Sequence, residues 1–309
     1  MIQRLLPFLT LFLLFVILAI AAPNTFLTER NLSTVVRQTA VINIIALGMT
    51  LIIITSGIDL SVGAILALSG FLGAKAMESG YSIPVAVLIG ITTGLCCGLL
   101  NGLLITRLKI NPFIVTLGML GVIRGLTLTI SKGLPASGVP DSFKYLGTGT
   151  FLGAPVVLWL LLVCAVAMHF VLEYTRLGRY AFAIGSNPDA AYYAGIPVSF
   201  HLTCVYGIAG LLTGIASMIE TSRLMTGQPT AGNGYELQAI AAVVIGGGSL
   251  RGGEGTVLGT LIGAFIMGLL SNGSDLLGIN PYLQQALIGA AIIVAVTLDE
   301  IRKRQLPRA

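Results

Sequence analysis

Apolar runs of roughly 18 to 22 residues recur along all 309 residues of this chain, and that is the length needed to cross a hydrocarbon core of about 30 Å. Few folds survive this constraint, because in lipid every backbone N–H and C=O must be satisfied within the protein. A membrane barrel would need alternating strands of about ten residues, and no such alternation is present. The expected fold class is therefore all-α, a polytopic integral membrane protein forming one domain over residues 1–309. Charged residues make up 9% of the chain, against about a quarter in soluble proteins, too few to coat a water-facing surface. The 39 glycines are nearly double the ordinary share of about 7%, and they predict helices packed closely through small residues.

Windows bounded by Gly, Pro and charge predict ten helices: 5–22, 38–55, 60–75, 83–106, 113–130, 155–174, 198–220, 237–247, 256–274 and 282–298. Cytoplasmic loops carry the excess of Lys and Arg. Placing both termini inside puts Arg4, Arg107, Lys109, Arg176, Arg179, Arg251 and the tail Arg302, Lys303, Arg304 and Arg308 on that face. The tail reads as a juxtamembrane anchor to lipid. With the other basic residues scattered singly, nucleic acid is not an expected partner. Residues 5–22 are long for a signal-peptide core and read as an uncleaved first span. Cys96, Cys97, Cys164 and Cys204 lie in apolar runs and read as small buried hydrophobes.

Two stretches, 48–74 and 241–268, share a pattern: an apolar helix, a glycine-bearing break with charge, then a helix rich in small residues. Paired interruptions of this kind mark the working centre of many transporters, although two tight turns would give the same pattern. The breaks offer Gly57, Asp59 and Ser61 in the first, and Arg251 and Glu254 in the second. Both are expected to face the cytoplasm, with Asp59 as N-cap of a helix starting at Leu60.

The cytoplasmic loop at about 175–197 holds a short capped helix. Asn187 suits the N-cap, Pro188 the first helical position, Asp189 the positive end of the dipole and Gly195 the C-terminal stop. Its residues Ala190, Ala191, Tyr192 and Tyr193 suit docking into a groove on another protein, or a connector that touches only its own subunit. An arginine at Ala191 is the expected way to disrupt such docking.

No reaction is assigned to the chain, which reads as non-catalytic and without a cofactor. A phosphate-binding loop needs Gly followed by Lys and Ser or Thr, and none of the five lysines follows a glycine. His169 and His201 stand apart, with no metal-ligand spacing. Mid-helix charge, the usual sign of ion coupling, is nearly confined to Arg124, expected to pair with helix carbonyls or snorkel. Uncharged polar residues within spans, among them Asn43, Thr50, Asn101 and Thr116, suit a pathway for a neutral hydroxyl-rich solute or hydrogen bonds between helices.

The chain resembles the membrane-spanning permease subunits of bacterial ABC importers for monosaccharides. The likeness covers almost its whole length and rests on residues 46–50, the run Thr55-Ser56-Gly57-Ile58-Asp59-Leu60-Ser61-Val62-Gly63, the loop 175–196, residues 228–232 and residues 234–263. It implies a bacterial inner-membrane protein working as a dimer with a second permease subunit. It also implies a separate cytoplasmic ATPase gripping the helix at 187–195, and a periplasmic binding protein delivering the sugar, with ribose the expected one. A stand-alone channel or secondary carrier, and a non-transporting scaffold, are the competing readings.

Overall fold

The computed structural model describes residues 2–280 and 282–290, with 293, 294 and 297. Twelve α-helices are bounded within residues 2–280. In chain order they are α1 (Ile2–Ala21), α2 (Glu29–Ile54), α3 (Val62–Glu78), α4 (Ile83–Leu108), α5 (Pro112–Ser131), α6 (Lys144–Thr148), α7 (Val156–Tyr174), α8 (Arg176–Ser186), α9 (Pro188–Tyr193), α10 (Val198–Leu224), α11 (Tyr235–Ile245) and α12 (Val257–Leu276). A small hairpin of β1 (Thr150–Phe151) and β2 (Ala154–Pro155) precedes α7. Residues 282–290 are helical; the rest of the predicted segment 282–298 lies partly outside the described residues, and the basic tail wholly so.

Local chemistry sets the boundaries. The Thr28, Asn111 and Thr256 side chains accept backbone N–H groups at the starts of α2, α5 and α12, filling donors that a helix leaves unpaired. Pro112 opens α5, where its missing N–H costs nothing.

Among the described residues six helices, α2, α4, α5, α7, α10 and α12, are long and apolar enough to cross a membrane. Their burial differs sharply: 89% of the apolar window of α2 is buried, against 22% for α4. Helix α2 is therefore the core of the bundle, wrapped by α7, α10, α11 and α12, while α4 and α5 flank α3. Outward on the peripheral helices stand Leu88, Leu100, Val122 and Val166, an apolar jacket that water would not tolerate and lipid does. Helix α1 lies on α12, its Leu18 buried with Phe26 and Leu269.

The glycine excess has a concrete use. Gly94 and Gly98 of α4 lie against Gly210 and Gly214 of α10 so closely that a Cβ on any of the four would crowd the facing backbone. Such contact between backbones is how helices associate where no hydrophobic effect drives them together. One cysteine departs from the sequence reading: Cys164 is buried, but Cys96 is exposed on the face of α4 turned away from the bundle.

Candidate functional site

The first break is largely buried within the protein. Between α2 and α3 only Ser56 is exposed, while Gly57, Asp59 and Ser61 are buried. Irregular backbone at this depth is tolerated only when protein encloses it, and here the enclosure is polar. Asp59 accepts from the Ser61 N–H at 2.8 Å and the Ser61 hydroxyl at 2.6 Å, and Asn101 of α4 donates to Ser61 Oγ at 2.8 Å. Asp59 is thus not the N-cap of a helix at Leu60: α3 starts at Val62, and the carboxylate is spent holding the turn before it.

The second break carries its charges outward, with Arg251 and Glu254 both exposed. Its turns need glycine, since Gly247, Gly252 and Gly253 all have positive φ. The two breaks meet. The Gly253 N–H donates to the Ile54 carbonyl at 2.9 Å, and the Ser56 hydroxyl lies 2.9 Å from the Arg251 carbonyl oxygen and 3.1 Å from that of Gly185. Gly185 lies in the last turn of α8, in the loop. A Cβ there would overlap the Ile54 carbonyl oxygen and crowd Gly253, so the loop and both breaks form one three-way junction of backbone.

Beyond that junction the loop turns into α9. Asn187 Oδ1 accepts from the Ala190 N–H at 2.9 Å, and Pro188 and Asp189 occupy the first turn. At the other end Gly195 has φ +83, its N–H bonds the Tyr192 carbonyl, and the Ile196 N–H bonds that of Ala191, a paired C-terminal stop that needs glycine. Ala191 is turned into the protein, 5% exposed, whereas Tyr192 and Tyr193 stand 68% and 86% exposed beside exposed Ala190. The free face is therefore made by Ala190, Tyr192 and Tyr193, and Ala191 seats the helix.

At the opposite end of the bundle a cleft of about 200 Å³ opens between α2, α10, α11 and α12. Gln38, Thr39, Arg223, Tyr235, Gln238 and Asp275 are among its walls. Arg223 is held in place: its Nε and Nη2 donate to the two Glu220 oxygens at 3.0 and 2.8 Å, and the Tyr235 hydroxyl donates to Glu220 Oε1 at 3.2 Å. Helices α10 and α12 run past the predicted ends at 220 and 274, so Arg223 and Asp275 are helical, each in the last turn of its helix. The Glu220 and Arg223 spacing of three was a readable sign; the fifteen-residue step to Tyr235 was not.

Asn43, Thr50, Asn101 and Thr116 are all fully buried, and none of them lines this cleft. Thr50 meets Thr260 of α12 hydroxyl to hydroxyl at 2.6 Å, Thr116 donates to the Ile58 carbonyl, and Asn43 donates to the Thr39 carbonyl. Three of the four thus tie elements together. Arg124 donates to the Pro229 and Ala231 carbonyls at 2.9 and 3.0 Å, pinning the run of turns between α10 and α11 to α5. Among the described residues no group of His, Cys, Asp and Glu is placed to hold a metal ion.

A buried broken-helix core, a polar cleft at one end and an exposed capped helix at the other describe a membrane transport permease. The profile of the family described as the branched-chain amino acid transport system permease component matches residues 31–296, and the chain belongs to that family. It is a multi-pass membrane protein. Its relatives include the ribose import permease of Bacillus subtilis, 46% identical over 96% of this chain and 92% of that protein. The ribose import permease of Escherichia coli K12 is 42% identical over 94% and 92%, and the D-allose transport system permease of the same strain is 39% identical over 94% and 91%. No solved structure is a significant match.

Proposed function

We propose that this chain is the permease subunit of a binding-protein-dependent ABC importer for a monosaccharide, with ribose the first candidate. The observation that carries the reading is the junction of Gly185 with both helix breaks, two residues before the α9 cap Asn187. A push on an exposed helix seated there reaches the ends of α2 and α12 directly, which is what an external ATPase needs in order to switch a pore. The sugar, and not a branched aliphatic amino acid, is favoured by the cleft. Its amide, hydroxyl and paired-charge walls offer little to an aliphatic side chain, and the relatives named for sugars point the same way.

In this reading two such subunits pair, each with about ten spans and both termini cytoplasmic, and the ATPase and the sugar-binding protein are separate chains. Reconstituted with those two partners, the protein is expected to import ribose only when ATP is supplied. Equal flux without the ATPase would make it a stand-alone carrier and end this reading.

A further inference from the structure

We propose that the cleft between α2, α10, α11 and α12 is a recognition site for a neutral polyhydroxylated ring, read by the side-chain amides of Gln38 and Gln238 beside the fixed guanidinium of Arg223. This rests on the transport function proposed above, and it assigns to named residues a step that the soluble binding protein would otherwise perform alone.

Three observations converge. The first is accessible hydrogen-bonding capacity. Gln38 is exposed and Gln238 half-buried, and neither side chain is hydrogen-bonded to another described residue, so each presents a donor and an acceptor together with only water to displace, the pair that neighbouring sugar hydroxyls complement. The second is Thr39. Buried threonines elsewhere in these helices spend their hydroxyl on the carbonyl four residues back, as Thr50, Thr127 and Thr213 do. Thr39 is 2% exposed, lines the cleft, and leaves its Oγ1 without a partner. A buried hydroxyl left so is costly; Oγ1 is turned onto Gly268 of α12, and a ligand in the cleft reaches it by a rotation of the Thr39 side chain.

The third is charge. Glu220 holds two edges of the Arg223 guanidinium, which leaves Nη1 for another acceptor, and Asp275 adds a further carboxylate to the cleft. One cation among two carboxylates repels an acidic solute and leaves a neutral one unopposed. Gly268 completes the wall: a Cβ there would overlap Thr39 Oγ1, so the hydroxyl has its place only because no side chain stands opposite it.

The test is ATP-driven ribose uptake by proteoliposomes holding the full importer, with ATP hydrolysis measured alongside. Gln38→Leu and Gln238→Leu are each expected to lower uptake about fivefold, the fold-change equivalent of one neutral hydrogen bond, and to raise the ATP spent per ribose imported. Gln238→Glu, which keeps an acceptor of the same reach, is expected to recover part of the loss. Wild-type uptake at full rate with both leucine variants unchanged in rate and in ATP per ribose overturns the site and leaves the transport reading standing. A wild-type importer that moves no ribose overturns that reading itself. Should the leucine variants fail to assemble, Gln38→Asn and Gln238→Asn keep the polarity and shorten the reach; unchanged uptake in both overturns the site equally.

Discussion

Single residues decide how force enters this molecule. Gly185 has no room for a methyl group, because the Ile54 carbonyl stands where it would go. Gly185→Val is expected to cost about 1 to 3 kcal/mol, the usual penalty for forcing atoms into a filled site, and to cut uptake more than stability. Thermal unfolding and transport of the same preparation check this. Two residues of α9 make a second contrast. Ala190→Arg adds a charge to the exposed face and is expected to leave the protein folded while lowering coupled uptake at least about tenfold, roughly 1.4 kcal/mol of lost contact; normal transport would remove α9 from the account. Ala191→Arg would bury that charge and unseat the helix, so it fails as a docking test. Sequence gave the caps of α9, whose chemistry is local, but not which alanine points inward, since that depends on what the helix sits upon.

Among the elements, helix existence was legible and helix endings less so. Predicted spans such as 83–106 and 155–174 fall close to α4 and α7, because Pro, Gly and charge punctuate them. The start of α3 was missed by two residues, for Asp59 found partners in Ser61 and Asn101, the latter forty-two positions away in the chain. The two glycine-broken pairs look alike in sequence, yet they pack differently: α11 lies against α12, whereas α2 and α3 each lie against α10. A period of four in α4, at Gly90, Gly94, Gly98 and Gly102, was the available sign of its close approach to α10. Gly98→Leu is expected to force the two helices apart and cost about 1 to 3 kcal/mol. Gly118→Ala, on α5 with open space around it, is expected to be neutral or to gain up to about 1 kcal/mol. Equal melting temperatures for the two variants would show that glycine packing is not what joins α4 to α10.

For the molecule as a whole, membrane residence and the all-α class follow from apolar length alone, a property summed over many residues and so insensitive to detail. The cleft was invisible to that reading. Its walls come from four helices separated by up to two hundred residues, and a lone Gln or Asp gives no hint of its company. Three of the four polar residues singled out within spans are occupied instead in fastening elements together, as with Thr50 and Thr260, since a buried hydroxyl is most cheaply satisfied by a neighbour.

Helix α10 connects the two ends. Its 27 residues, about 40 Å at the ordinary helical rise, begin beside the loop and finish at Arg223 in the cleft. The surface it shows α4 is nearly bare of side chains around Gly210 and Gly214. Backbone-to-backbone contact leaves no slack between α10 and α4, and Met218 of α10 is lodged against Gly90 of α4 and Gly73 of α3. Helix α10 is accordingly a strut, and a displacement imposed at its loop end is expected to arrive undiminished at Arg223.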